Sequence, residues 1–308
     1  MKAFIPIFLI LSFMGFKQSE AQVLPFHPEI FNNYLSVRDL SLNENEIYFS
    51  MQSLMNELSA IVIIRKVEGA WTEPEIASFS GKYMDLEPFL APDNLRLYFA
   101  SNRPLSKDSI AGKDFDIWYV ERERIQDPWS DAMPLEGGVN SEYNEFYPSI
   151  SSSKNVYFTS DRPESLGEDD LFMALWDGEK YALPVNLGEH INSPGYEFNA
   201  YVNPAETILL FTAYNRADGF GSGDLYISRK KGGGEWTSAE NLGPEINSDK
   251  MDYCPFYDER ETRLYFTSRR SKLKPDDAKK RTFEALKEEI EQYENGLSRL
   301  YQIEIQLQ

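Results

Sequence analysis

The chain has 308 residues, of which 42% are hydrophobic and 14% are aromatic, and its formal net charge at pH 7 is -19. This content of apolar and aromatic residues is enough for a packed core and excludes an intrinsically disordered chain. The negative charge argues against nucleic acid as a partner, because surfaces that bind nucleic acid are basic. It favours solubility, with a surface for a cation or a basic partner as the alternative.

Residues 1–21 predict a cleaved signal peptide. Lys2 precedes an apolar run from Phe4 to Phe16, and Ser19-Glu20-Ala21 places small residues at the two positions that signal peptidase reads. The run is shorter than the roughly 20 residues that a membrane-spanning helix needs. We therefore expect cleavage before Gln22, export to the periplasm or the cell exterior, and no membrane span in the mature chain.

One motif recurs through the rest of the chain. YFASNRP at 98–104 returns as YFTSDRP at 157–163, LFTAYNR at 210–216 and YFTSRR at 265–270, with a degenerate copy, YFSMQ, at 48–52. The central phenylalanines are separated by 50, 59, 53 and 55 residues; they are Phe49, Phe99, Phe158, Phe211 and Phe266. A period of about 50 residues is typical of a propeller or a solenoid.

Each copy predicts four short antiparallel strands. In the second copy, two apolar segments flank Pro92-Asp93-Asn94, a sequence suited to a tight hairpin turn. A third strand follows a polar loop, and a fourth segment opens with an aromatic residue, such as Trp129. We therefore expect residues 22–308 to form a single all-β domain, a five-bladed β-propeller closed by the mature N-terminal strand pairing into the last blade.

An insertion at about residues 275–296 of the last blade is predicted to be helical. Phe283, Leu286, Ile290 and Tyr293 recur at three- and four-residue steps, which places them on one helix face. We expect this face to pack on the propeller disc. Its role is open between a cap over apolar surface and an element that docks a partner.

Two sets of charged residues recur with the repeat. The arginine of the SxR motif is followed by an acid that leads into the third strand, which gives the pairs Arg103 with Asp116, Arg162 with Asp170, and Arg216 with Asp224. Because an active site is normally built once, we interpret these as structural ion pairs that tie the hairpin to the third strand.

The second set consists of acids 12 or 13 residues before the aromatic pair, in the first strands of four blades, with Leu35 at this position in the first copy. First strands line the channel of a propeller, so these carboxylates could ring one channel mouth as a site for a metal cation, a basic peptide or a sugar. Calcium accepts oxygen ligands of this kind; no other cofactor is indicated. The alternative is a solvated rim or a cap on backbone amides. The candidate residues are Asp85, Glu145, Glu197 and Asp252, with Phe146, Phe198 and Tyr253 beside them.

Signals for catalysis are few. The two histidines, His27 and His190, lie in no metal-binding spacing, and no GxSxG motif is present. Glycoside hydrolysis needs only two carboxylates, so it remains the enzymatic alternative. The single cysteine, Cys254, lies in the apolar segment DYCPFY, where a small buried hydrophobic residue is the simplest interpretation.

The segments YFASNRP, GKDFDIWYV, YFTSDRP, GEDDLF and LGEHINS resemble the WD-repeat-like β-propeller proteins of the TolB type, which are found in bacterial envelopes. The resemblance spans about residues 36–306. It implies an exported, non-enzymatic scaffold that binds a protein or peptide partner in the cell envelope. The alternative is a carbohydrate-active enzyme that uses the channel-mouth carboxylates. The sequence indicates no oligomeric state.

Overall fold

A computed structural model of the chain describes residues 21–105, 114–274 and 280–307. Residues 1–20 of the predicted signal peptide and residues 275–279 of the predicted insertion lie outside the described residues.

The described strands form five antiparallel sheets, which are the five blades of a β-propeller. The first blade contains β2 (Val37–Leu42), β3 (Glu46–Gln52), β4 (Ser59–Val67), β5 (Ala70–Trp71) and β6 (Glu75–Ile76). The second contains β7 (Asp85–Leu90), β8 (Arg96–Ser101), β9 (Asp116–Glu121) and β10 (Met133–Pro134). The third contains β11 (Glu145–Ile150), β12 (Val156–Ser160), β13 (Asp170–Ala174) and β14 (Val185–Asn186). This architecture confirms the predicted fold class.

The fourth blade contains β15 (Tyr196–Val202), β16 (Ile208–Tyr214), β17 (Asp224–Arg229) and β18 (Glu240–Asn241). The fifth contains β19 (Asp252–Asp258), β20 (Arg263–Ser268) and β21 (Arg299–Glu304), and its fourth strand is β1 (Leu24–Pro25) from the other end of the chain. Leu24 pairs with Gln302 and Pro25 pairs with Tyr301, so the N-terminal strand closes the ring as predicted.

The cores lie between the blades, because both faces of each sheet are covered by a neighbour. The recurring phenylalanines of the second strands are completely buried. Phe158 of the third blade packs in one cluster with Tyr98 of the second, and Phe211 of the fourth packs in one cluster with Tyr157 of the third. This packing explains why the strands are apolar on both faces instead of alternating.

The SxR arginines hold the start of their own blade together through ion pairs with buried carboxylates. The Nη2 of Arg162 donates to Glu145 Oε1 at 2.7 Å and to the carbonyl of Val139, in the loop that enters the blade, at 2.8 Å. Its guanidinium also lies 5.2 Å from the ring centre of Phe172 in the third strand. Because one group joins the entering loop, the first strand and the third strand, it holds the start of the blade in place.

The predicted partners of these arginines were wrong. Glu145 binds Arg162, Glu197 binds Arg216 and Asp252 binds Arg270; likewise, Asp85 binds Arg103. Asp170 and Asp224 instead accept hydrogen bonds from backbone amides of the loop that precedes them, and Asp116 holds the same position at the start of β9. Two acids recur in every full copy, and sequence spacing alone did not show which one reaches the guanidinium.

Two helices complete the described fold. The helix α1 (Pro28–Phe31) follows the closing strand, and the helix α2 (Phe283–Glu291) lies in the predicted insertion. The predicted packing of α2 on the disc is wrong for most of its apolar face, because Phe283, Leu286 and Ile290 are 76%, 44% and 54% exposed. Only Tyr293, beyond the helix end, packs inward, where its hydroxyl donates to the carbonyl of Leu300 at 2.7 Å.

We predict that Arg162→Met lowers the free energy of unfolding by about 3 kcal/mol or more, because it leaves the Glu145 carboxyl buried without its cation. The matched control is Arg65→Met, which breaks the exposed pair between Arg65 and Glu75 and should cost less than about 1 kcal/mol. Urea unfolding of both variants measures the difference. Equal losses would show that the arginine pairs do not stabilise the blades.

We predict that Phe26→Ala lowers the free energy of unfolding by about 3 kcal/mol or more, because the ring is buried against Phe31 and Tyr265 at the closure of the propeller. Leu24→Ala, two residues earlier in the same segment, removes a side chain that is 50% exposed and should cost less than about 1 kcal/mol. Thermal unfolding of both variants, and of a chain lacking residues 22–34, checks the closure. An unchanged transition in the deleted chain would contradict it.

Candidate binding site at the central channel

The carboxylates that the sequence predicted as a channel-mouth site are fully buried inside the blades. Asp85, Glu145, Glu197 and Asp252 are each 0% exposed. Besides the arginine, Glu145 accepts hydrogen bonds from the backbone amide and hydroxyl of Ser141, at 3.0 and 2.5 Å. Burial raises the pKa of Glu145, although these hydrogen bonds and Arg162 act in the opposite direction. The acids therefore cap backbone amides and hold arginines, which was the structural alternative.

The aromatic residues predicted beside these acids lie in two settings. Phe146 is half-buried and packs against Phe115, with ring centres 5.1 Å apart. Phe198 and Tyr253 are buried together with Cys254 in one small cluster. This cluster adjoins the central channel, so two of the predicted residues help to build its wall.

The channel itself is lined by a ring of five residues, one from the first strand of each blade, that sequence reasoning did not single out as a site. Each interrupts the pairing of its strand with a β-bulge and has a positive φ, between 51° and 60°. Such backbone costs about 1 kcal/mol or more at a residue other than glycine and is often found at functional sites. The channel ring consists of Asp39, Glu87, Tyr147, Asn199 and Cys254.

Arg38 crosses the channel and binds the ring from one side. Its Nε donates to Asp39 Oδ1 at 2.9 Å, and its Nη2 lies 3.4 Å from Glu87 Oε1 and donates to the Tyr147 hydroxyl. The guanidinium lies 5.5 and 5.4 Å from the ring centres of Tyr147 and Tyr253. One cation thus contacts side chains from four of the five blades on this side of the channel.

The side chains of the channel ring influence one another's pKa values because they are buried close together. The thiol of Cys254 donates to Asp39 Oδ1 at 2.7 Å, and the backbone amide of Tyr147 donates to Glu87 Oε2 at 2.8 Å. Burial and the neighbouring Asp39 carboxylate raise the pKa of Glu87 from 4.5 to about 8, against the effect of Arg38. Burial also raises the pKa of the Cys254 thiol and of the Tyr147 phenol, so both stay protonated at neutral pH.

On the side of the ring away from Arg38, the channel opens in two steps. A cavity of about 40 Å³ lies between the channel ring and the aromatic residues Phe89, Tyr201 and Phe256. The same three residues form the floor of a wider mouth of about 240 Å³, to which all five blades contribute. This mouth lies on the face of the disc that carries the turns between first and second strands, which we call the hairpin face.

The mouth continues into a groove of about 510 Å³ between the second and third blades. Ala91, Pro92 and Ile150 line both, so the two concavities are continuous. The rim carries both charge signs, with Asp258, Glu259 and Arg260 at the mouth and Arg96, Arg122 and Lys154 along the groove. An aromatic floor inside a charged rim is the composition expected of a surface that binds a polypeptide.

The described residues offer calcium no ready-made site. Within 21–105, 114–274 and 280–307, no three His, Cys, Asp or Glu side chains are grouped so that they could hold a metal ion. Over the same ranges, none of the helices has the length and apolar character needed to cross a membrane.

Comparison with known proteins supports the fold alone. No family model matches the chain, and no curated protein matches its sequence. The catalytic domain of a GH62 α-L-arabinofuranosidase from Coprinopsis cinerea aligns with a TM-score of 0.52 at 11% identity, over 92% of this chain and 96% of that one. The arabinanase Arb43A from Bacillus subtilis aligns with a TM-score of 0.52 at 12% identity, over 87% and 93%.

A putative TolB from Agrobacterium tumefaciens aligns with a TM-score of 0.49 at 10% identity, over 75% of this chain and 69% of that one. Structural neighbours thus include both TolB-type propellers and propeller glycosidases. At these identities the alignments show the propeller fold alone. They do not distinguish a scaffold from a hydrolase, so that question depends on the site.

We predict that Glu87 titrates near pH 8 and that Asp39→Asn lowers its pKa, because the variant removes a neighbouring negative charge. Carbon-13 NMR of the glutamate carboxyl groups measures this, with Glu87→Gln identifying the resonance. A carboxyl whose pKa is higher in the folded state holds its proton more tightly there, so the free energy of unfolding should fall as pH rises from about 4.5 to about 8. Titration near pH 4.5 would contradict the described coupling.

Proposed function

We propose that the protein is an exported, non-catalytic scaffold that binds a peptide segment of a cell-envelope partner at the channel mouth on the hairpin face. The observation that carries the proposal is the continuous concavity formed by the mouth and the groove, with an aromatic floor and a rim of mixed charge. A peptide could lie in the groove between the second and third blades and place side chains over the channel.

The floor has the properties of a binding surface. Phe89 and Phe256 are half-buried, and Tyr201 lies between them with ring centres 6.3 and 5.4 Å away. The Tyr201 hydroxyl donates to the carbonyl of Tyr257 at 2.5 Å, so its ring is fixed before any partner arrives. Rigid aromatic residues lose little conformational entropy on binding, which makes them effective contact residues.

The channel carboxylates favour a scaffold over a glycoside hydrolase. Asp39 and Glu87 share the guanidinium of Arg38, and the cavity that adjoins them on the mouth side measures about 40 Å³. Pockets that enclose small-molecule ligands usually measure about 300 Å³ or more. A sugar ring in the mouth would therefore lie above these carboxyl groups, separated from them by Phe89, Tyr201 and Phe256.

Export to the periplasm or the cell exterior is part of the proposal and depends on the predicted signal peptide. The acidic composition suits such a scaffold, because a net charge of -19 attracts basic segments of a partner.

We predict that a photo-crosslinking amino acid at Ser152 in the groove or at Glu259 in the mouth forms a discrete adduct in cells of the native host. Both positions line the proposed surface, so a bound segment would lie within reach. The matched control is the same amino acid at Leu183, which is 79% exposed and lines neither concavity. Phe256→Ala in the same chain should remove the adducts. Denaturing electrophoresis and mass spectrometry provide the measurement.

Two outcomes would contradict the proposal. Adducts only from the crosslinker at Leu286 would place the partner on the exposed face of α2 instead. Hydrolysis of plant or algal oligosaccharides that is lost in Asp39→Asn and Glu87→Gln, while the folded state is retained, would make the protein an enzyme.

A further inference from the structure

Two buried polar groups in the channel lack protein partners. Asn199 is 3% exposed, and across the described part of the chain neither its Nδ2 nor its Oδ1 has a hydrogen-bond partner. The same holds for Oδ2 of Asp39, whose other oxygen is bound by Arg38 and Cys254. Both residues line the cavity of about 40 Å³. Buried polar groups are rarely left unpaired, so this arrangement points to a ligand or to water.

The rest of the channel ring is already engaged. Glu87 accepts from Arg38 and from the backbone of Tyr147, and the Tyr147 hydroxyl accepts from Arg38. The unsatisfied groups of the two residues that line the cavity are therefore an anionic oxygen, an amide oxygen and an amide N–H. The two oxygens call for a ligand that donates hydrogen bonds.

The charge and the shape of the cavity further restrict the chemical class of the ligand. Asp39 supplies the negative charge of the cavity wall, because Arg38 approaches it at Oδ1 and leaves Oδ2 without a partner. Glu87, whose pKa is about 8, is mostly protonated at pH 7 and adds little charge. On the opposite side of the cavity stand Phe89, Tyr201 and Phe256, whose rings can face a cation. A cavity of this size holds two or three waters by the usual measure, or the head and last methylene of one alkylammonium group.

We propose that the cavity binds the primary ammonium of a lysine side chain, which donates to Asp39 Oδ2 and Asn199 Oδ1 while its methylenes pass between Phe89, Tyr201 and Phe256. This deepens the proposed function and rests on it for the source of the lysine, which is the segment docked in the mouth. A lysine suits the path because its charge stands at the end of a slender four-carbon chain, whereas the planar arginine head is wider. The N–H of Asn199 is left for a water in the remaining volume.

The probe for the experiment is n-butylammonium, which reproduces the lysine side chain without a peptide. NMR titration of the full chain at pH 7 and constant ionic strength should show saturable shifts of the channel-ring amides. n-Butanol, which is neutral, and n-butylguanidinium, which has the wider head, should bind at least about tenfold more weakly. A tenfold change in affinity corresponds to about 1.4 kcal/mol.

Three variants locate the site. Asn199→Leu, close in size but without polar atoms, should weaken n-butylammonium binding about tenfold or more, and Asn199→Asp, which adds a charge, should strengthen it. The matched control is Asn33→Leu at an exposed asparagine, which should leave the affinity unchanged. Thermal unfolding of each variant confirms that the comparison is made on folded protein.

The proposal is overturned if n-butanol binds as tightly as n-butylammonium, if Asn199→Leu and Asn199→Asp leave the affinity unchanged, or if n-butylammonium does not bind and the cavity holds water alone. These results are independent of the crosslinking experiment. If the crosslinkers at Ser152 and Glu259 give no adduct but n-butylammonium binds, the proposed docking of a partner in the mouth is rejected. If adducts form but n-butylammonium does not bind, only the proposed binding of a lysine side chain is rejected.

Discussion

The propeller depends on an arginine that, in four of the five blades, binds the loop entering from the previous blade. In the third blade, Arg162 binds the carbonyl of Val139, the carboxylate of Glu145 and the aromatic face of Phe172. Because a guanidinium donates in several directions at once, one side chain fixes the entering loop, the first strand and the third strand. Fixing Glu145 also fixes the position of Tyr147, two residues later, which faces the channel.

The cation in the channel comes from the degenerate first copy of the repeat. The first copy lacks both the SxR arginine and its acid, and the junction between the last and first blades is made instead by Arg299, which donates to the carbonyl of Leu35 at 2.9 Å. In the first blade, Arg38 points across the channel and binds the ring. The regular copies thus stabilise the blades, and the degenerate copy supplies the guanidinium that binds the channel ring.

Much of the fold could be predicted from the sequence, but little of the site could. The spacing of Phe49 and its counterparts indicates blades, and the spare N-terminal strand indicates the closure. The channel ring was missed because its members differ in chemistry and only their register is shared. Cys254 was read as an apolar core residue, yet its thiol donates to Asp39. None of the bulges with positive φ contains a glycine that would mark it in the sequence. In four blades the ring residue lies two positions after the recurring acid, but the first blade has no such acid before Asp39. The apolar face of α2 predicted packing, but an amphipathic pattern does not show whether a surface lies opposite it.

The central claim is that Arg38, bound to Asp39, Glu87 and Tyr147, shields this side of the channel ring from solvent. Solvent exchange of the Arg38 Nε–H, followed by nitrogen-15 NMR at neutral pH, tests this most directly. A proton that is bound to Asp39 and shielded from solvent should exchange much more slowly than the Nε–H of Arg65, whose side chain is 44% exposed. Equal exchange rates would show that this side of the ring is open to solvent at Arg38 and would contradict the account.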